Sequence, residues 1–228
     1  MNKMKRQLTL LILLTINLSV FGQHNFGLKT NGGLSKISND LNSDFTTQNI
    51  HFSPSGGGGL FYNWKFGDKS ALGVELLFIQ IEGKERIETA ATDPYGSPRG
   101  EIIIHNLWRH VSYIGVPIYY GLKLKKLTIN FGFQTSFTLT SSGRIKGQSS
   151  YNGTIRTWDD NISELNIDSF DFGPRAGIIF NLTDKFAVDG TYYYGVNNIL
   201  GNDIGLDWTW KVQQVTVGLR YTFLRLNL

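Results

Sequence analysis

The sequence predicts an all-β chain, an eight-stranded antiparallel up-and-down transmembrane β-barrel with short periplasmic turns and four long extracellular loops. Three observations predict it. Apolar and polar residues alternate through eight segments, the connections between them alternate between short and long, and aromatics of the apolar phase gather beside the short connections. Successive side chains of an extended strand point to opposite faces, so each segment has one apolar and one polar face.

Ahead of the first strand, Lys3, Lys5 and Arg6 precede an apolar run from Leu8 to Phe21. Val20 and Gly22 stand three and one residues before Gln23, the pattern of a cleavage site. Residues 1–22 therefore read as a secretory signal peptide and 23–228 as one outer-membrane barrel domain. An uncleaved anchor is the competing reading, but Thr15, Asn17 and Ser19 interrupt the run and leave it short for a span. With no cysteine, the chain has no disulfide, no thiolate metal site and no lipidated cysteine. Of 22 Lys+Arg against 18 Asp+Glu, three cations lie in the leader, which leaves 19 against 18 and a net charge of +1. The basic balance belongs to the leader and gives no support for nucleic-acid binding.

The strands are expected near 24–36, 55–66, 70–82, 107–122, 127–140, 170–182, 185–195 and 211–223. Short connections lie at 67–69, 123–126 and 183–185; the long ones, 37–54, 83–106, 141–169 and 196–210, are rich in Ser, Asn, Asp, Gly and Thr. This alternation puts every long loop at one end of the sheet, as in outer-membrane barrels. The phases are clean. Leu72, Val74, Leu76 and Phe78 oppose Gly73 and Glu75. Leu127, Ile129, Phe131, Phe133, Phe137 and Leu139 oppose Thr128, Asn130, Gly132, Gln134, Ser136 and Thr138. Phe170, Phe172, Ala176, Ile178 and Phe180 oppose Asp171, Gly173, Arg175 and Gly177. Phe186, Val188, Tyr192 and Tyr194 oppose Asp189, Thr191 and Tyr193, and Val215, Val217, Leu219, Tyr221 and Phe223 oppose Thr216, Gly218, Arg220 and Thr222.

Alternation alone does not say which face is inside. A soluble lipocalin-like carrier puts the apolar face inward; a transmembrane barrel does the reverse. The polar face is crowded with Gly, Ser, Thr and Asn, which suits a confined lumen better than a solvated exterior. Its charges mix in sign: Lys29, Glu75, Asp171, Arg175, Asp189 and Arg220. The apolar face carries Trp64, Phe66, Tyr120, Phe180, Phe186, Tyr221 and Phe223 beside the short turns, a belt at one membrane interface. Lipid is therefore expected against the apolar face. In hydrocarbon every backbone N–H and C=O must be paired internally, so the first and last strands must meet.

Seven segments occur in an order that resembles a known family: GLKTNGGLS (27–35), GGLFYNWKF (58–66), ALGVELLFIQIEG (71–83), YIGVPIYYGLKL (113–124), FDFGPRAGI (170–178), DGTYYYGVNNI (189–199) and VGLRYTF (217–223). Together they resemble the PorT-like, or porin-family, small outer-membrane β-barrel proteins. The most specific pieces are Glu75-Leu76 in the third strand and Val116-Pro117 in the fourth. The resemblance implies an eight-stranded barrel in a Gram-negative outer membrane, for which most members have no assigned activity and one branch is associated with assembling a secretion machine. Such chains commonly end on the aromatic that closes the last strand and that the barrel-assembly machinery reads. Here Leu224–Leu228 follows Phe223. Arg225 would face lipid if the strand continued, so 224–228 is expected to be a periplasmic tail.

Signals for chemistry are weak. The tetraglycine 56–59 lacks the Lys-Ser/Thr and helix of a phosphate loop. His105 and His110 are an odd number apart, so on a regular strand they face opposite sides and share no metal; neither cofactor nor metal is expected. A nucleophile–base set could be drawn from His105, His110, Ser112, Asp93 and Glu101, but spacing fixes no geometry, and no catalytic residue is assigned. Glu75, Arg175, Arg220, Asp189, Asp171 and Lys29 form the expected lumenal charge network, read either as a gate for a solute or, preferably, as paired charges filling a small barrel. Trp158, Asp159, Trp208 and Trp210 are candidates for recognition in the loops, with interface anchoring the alternative for Trp208 and Trp210. The sequence reading is thus a non-enzymatic outer-membrane barrel whose partners are lipid, the assembly machinery and an extracellular or secretion-system protein. A small-solute conduit and a lipid-modifying enzyme are the alternatives.

Overall fold

The alternating segments form strands throughout a computed structural model, which describes residues 22–39, 46–92, 98–151, 154–200 and 209–227. The expected signal peptide (up to residue 21), Asp93 and Trp208 lie outside the described residues. Among the described residues there are ten strands: β1 (Gln23–Asn39), β2 (Thr46–His51), β3 (Ser53–Phe66), β4 (Ser70–Thr92), β5 (Pro98–Leu124), β6 (Leu127–Tyr151), β7 (Thr154–Ile162), β8 (Phe170–Asn181), β9 (Phe186–Tyr194) and β10 (Trp210–Asn227). All pairings are antiparallel, and they close on themselves. From β1 the ladder passes to β3, β4, β5, β6, β8, β9 and β10, and β10 returns to β1 through a register running from Gln23↔Asn227 to Asn39↔Trp210. Closure removes the exposed edges that an open sheet would offer.

The two further strands correct the expectation of eight strands with four long loops. The described residues of the expected connection 83–106 continue the β4–β5 ladder, pairing Gly83↔Arg109 through Ala90↔Ile102. Likewise, within the expected loop 141–169, β7 pairs with the outer half of β6 from Gly143↔Ile162 to Tyr151↔Thr154, and β2 pairs with the outer half of β4. Ile87, Thr89, Ile102, Ile103 and Ile104 are the β-branched residues that favour extension, and each finds a cross-strand partner. A sheet in the order β2, β4, β5, β6, β7 therefore projects beyond the closed ring. From Lys84, where β2 replaces β3 as the partner of β4, to Thr92 it extends about 26 Å along β4, at roughly 3.3 Å per residue.

The last strand corrects the expected tail. β10 continues to Asn227, with Arg225 opposite Asn25. The register jumps between Gly27↔Thr222 and Phe26↔Leu224, so Phe223 is a one-residue bulge. One extra residue reverses the facing of everything after it. Arg225 consequently turns inward and donates to Asn25 Oδ1 at 3.1 Å, which is why it does not face outward as unbroken alternation requires.

Outside, the ring is apolar around its girth. Leu28, Leu60, Leu76, Ile118, Phe133, Ile178, Val217 and Leu219 are each about half exposed or more. This is the reverse of a lipocalin-like carrier. Beside the short connections, aromatics touch in a belt: Trp64–Phe66 (5.0 Å between centroids), Phe66–Tyr120 (6.3 Å), Tyr120–Phe131 (5.6 Å) and Phe186–Tyr221 (5.0 Å). On β4 the outward face changes from Leu72, Val74, Leu76 and Phe78 to Gln80, Glu82, Lys84 and Arg86, which marks where the apolar girdle ends.

Candidate functional site

Pro117 sets the local geometry of the interior. It has no N–H to give, and the β4–β5 register skips from Val74↔Ile118 to Leu77↔Gly115 around it. Glu75 and Leu76 stand in that gap, so the two most specific dipeptides of the sequence face one another across adjacent strands. Glu75 points inward and is 1% exposed.

Around it, four other strands deliver charge. Glu75 Oε1 accepts from Arg220 Nη1 at 2.7 Å; Oε2 accepts from Arg175 Nη2 at 3.0 Å and from Lys29 Nζ at 3.4 Å. Asp189 pairs with Lys29 and lies 3.7 Å from Arg220. Tyr119, which sequence reasoning did not single out, completes the set: its hydroxyl accepts from Arg220 Nη2 (3.0 Å) and donates to Asn63 Oδ1 (2.8 Å). The Arg220 guanidinium lies 4.1 Å from the Phe61 ring centroid. Gly73 leaves the space that the Tyr119 ring occupies, since a Cβ there would fall on the ring. Three cations and two carboxylates thus meet in a water-poor interior where unpaired charge is costly. Five of the six expected network residues come together. Asp171 does not: it sits apart, accepting from the Tyr193 hydroxyl at 2.7 Å.

Towards the projecting sheet the interior becomes apolar. Ile37, Leu77, Ile79, Ile81, Val111, Tyr113, Tyr193, Ile199, Leu200, Trp210 and Val212 form one buried cluster. Ile199 and Leu200 reach it because the chain after β9 turns into the ring, held by Ile199 N–H to Trp210 O and Asp168 N–H to Ile199 O, both 2.9 Å. This part of the expected loop 196–210 is therefore interior. Trp210 belongs to the same plug, with Arg109 stacked 4.0 Å from its ring centroid, and is neither a recognition side chain nor an interface anchor. Arg109 in turn pairs with buried Glu85. Parity gave a signal for the plug, since Leu77, Ile79 and Ile81 share the phase of Glu75.

On the projecting sheet, Trp158 covers Gly147, where a Cβ would strike the indole, and meets the His105 ring at 5.3 Å. Burial against these groups lowers the His105 pKa. Asp159 is exposed and takes a two-pronged bond from Arg144 (Nε to Oδ1 2.8 Å, Nη2 to Oδ2 2.7 Å), with Lys146 at 3.1 Å. Those bonds, Arg144's foremost, hold its carboxyl down at about 2. His110 stands 3.8 Å from Glu82, with its side chain about two-fifths exposed, while Ser112 is buried at a bulge in the β5–β6 register. Among the described residues no three His, Cys, Asp or Glu side chains are placed to share a metal ion.

Several solved structures are similar to the chain. Neisserial surface protein A matches at 12% identity with a TM-score of 0.44, covering 89% of this chain and 99% of its own. Ail of Yersinia pestis matches at 14% identity and a TM-score of 0.40, again with 89% and 99% coverage. OprG of Pseudomonas aeruginosa matches at 13% identity and a TM-score of 0.32, with 91% and 97% coverage. A search of curated proteins finds no match. The sequence profile described as "Outer membrane protein beta-barrel domain" matches residues 19–201, most of the chain, and the chain belongs to that family.

Proposed function

We propose that the chain is a non-enzymatic, eight-stranded transmembrane barrel with a closed lumen, whose projecting sheet makes contacts with a surface or assembly partner. The eight strands paired on both sides are the membrane part in this reading. The short turns face the periplasm, and β2, β7 and the outer halves of β4, β5 and β6 stand outside the cell. One observation carries the proposal: the cross-section is filled twice, by the Lys29–Glu75–Arg175–Asp189–Arg220 network and by the apolar plug above it. Barrels of this strand number have interiors that side chains can fill. The facing of Glu75-Leu76 and Val116-Pro117 across β4 and β5 supports placement near the PorT-like branch, for which an assembly role fits better than transport.

The test begins with refolding residues 23–228 into detergent and comparing migration with and without boiling. A faster unboiled band is expected, followed by no steady single-channel current when the folded protein enters a planar bilayer. Uniform, reproducible openings would overturn the closed-lumen reading in favour of a small-solute conduit.

A further inference from the structure

Charge is spread unevenly over the molecule. At the end with the short connections, Lys65, Lys123 and Arg225 line the mouth of the ring, and Lys69, Lys125, Lys126 and Lys185 stand on the turns. Among the described residues the side-chain carboxylates there are those of Asp68 and Asp184. Seven cations against two acids give this end a net +5, although the chain beyond the leader carries only +1 in all.

These cations are gathered in a concavity rather than dispersed. An open hollow of about 590 Å³ has Lys65, Lys123, Lys125, Lys126 and Arg225 on its wall, with Asp184 as the acidic residue among them. Deeper, a cavity of about 60 Å³ continues to Tyr119 and Arg220. Arg225 is fixed there by the Phe223 bulge, its Nη2 donating to the Asp184 carbonyl at 2.6 Å. Lys65 Nζ donates to Gln23 Oε1 at 2.9 Å. Lys123, Lys125 and Lys126 form no ion pair among the described residues. Lys125 also holds a left-handed φ of 56° in the two-residue turn, a conformation that glycine or asparagine adopts more easily. Like charges held in a concave, low-dielectric mouth repel one another and focus a positive field on the space between them.

We propose that this mouth binds a phosphate-class oxyanion, with Lys65 and Lys123 supplying charge and Arg225 a fixed guanidinium. Such a group could belong to a lipid head or to a molecule in the surrounding water. The mouth-lining side chains point inward, away from the belt of Trp64, Phe66 and Tyr120, so the site opens at the end of the ring and not on its apolar girth. The site stands whether or not the interior conducts.

The experiment titrates inorganic phosphate, at constant ionic strength balanced with chloride, into the protein folded in maltoside micelles. Backbone amide shifts report binding, and unboiled gel mobility reports folding of each variant. Saturable shifts are expected at 123–126 and 183–185. The double substitution K65Q/K123Q should weaken binding at least about fivefold, as expected for removing charges near contact distance. The charge-matched K69Q/K185Q, whose side chains stand off the mouth, should leave it within about twofold. Shifts that grow linearly with phosphate, or equal losses in the two double variants, would overturn the site in favour of general screening. Repeating the titration in phosphatidylcholine nanodiscs with and without phosphatidylglycerol identifies the source. Equal phosphate affinity in both means that the anion comes from water, whereas competition by the anionic lipid means that a headgroup fills the same site.

Discussion

Two tiers fill the interior of this ring, and they are built from opposite chemistry. Near the level of Pro117, Glu75 is held by Arg220, Arg175 and Lys29; two and three repeats of the pleat further along β4, Ile79 and Ile81 pack in one cluster with Val111, Val212 and Ile199. Both tiers exclude water, but they fail differently. An ionic tier depends on every partner, because deleting one leaves the rest uncompensated in a low-dielectric space. An apolar tier loses stability in proportion to the atoms removed and the cavity left behind. Only the first tier is expected to be brittle.

The largest effect should come from Glu75→Ala. It leaves Asp189 as the remaining carboxylate of the network, paired with Lys29 and 3.7 Å from Arg220, and leaves Arg175 without a carboxylate, and should cost about 3–5 kcal/mol in a urea unfolding series, as expected for stripping one member from a buried ion cluster. A loss below about 1 kcal/mol would mean that the tier is screened by water, and the contrast between the tiers would collapse.

The ionic tier was legible in the sequence and the apolar tier only faintly, through parity, for a physical reason. A charge on an otherwise small, polar strand face has few explanations, so Lys29, Glu75, Arg175, Asp189 and Arg220 identified themselves. Leu77 and Ile79 lie in the phase of Glu75, but in β4 both faces become apolar there, and alternation loses its contrast. Trp210 is not legible as a plug residue because its polar neighbours make 200–210 resemble a surface loop. Arg225 was misread because a bulge leaves no mark in the residues themselves, only in the pairing with β1. The ladders beyond Gly83 were missed since Glu, Lys and Thr on both faces look like loop composition until a partner strand is present.

A smaller effect tests the second tier. Ile79→Val removes one methylene group from the plug beside Gly115, where Ile79 Cδ1 fills the space a Cβ would take. The expected loss is about 1 kcal/mol in the same urea series, with unchanged electrophoretic mobility of the unboiled protein. A loss as large as that of Glu75→Ala would show that the plug is as unforgiving as the ion cluster, which would remove the distinction.

The smallest effect takes the same carboxylate–guanidinium chemistry into water. Arg144 grips Asp159 with two bonds near 2.7–2.8 Å, comparable in length to Arg220 on Glu75, yet both side chains of the outer pair are nearly half exposed. Solvent and salt screen such a pair, so Asp159→Asn should leave global unfolding unmoved. The pair should still be visible in its own titration. With the folded-state value at about 2, below the ordinary aspartate value, its support for the β6–β7 hairpin is complete above that ordinary value and is lost as pH falls through about 2. The side-chain carboxyl carbon of Asp159, followed by NMR in the folded protein, should show its midpoint there, and Arg144→Gln should raise it towards the usual aspartate range. A wild-type midpoint already in that range would mean that the projecting sheet does not hold the two-pronged bond in solution. The geometry of the pair would then matter only where the ring shields it from water.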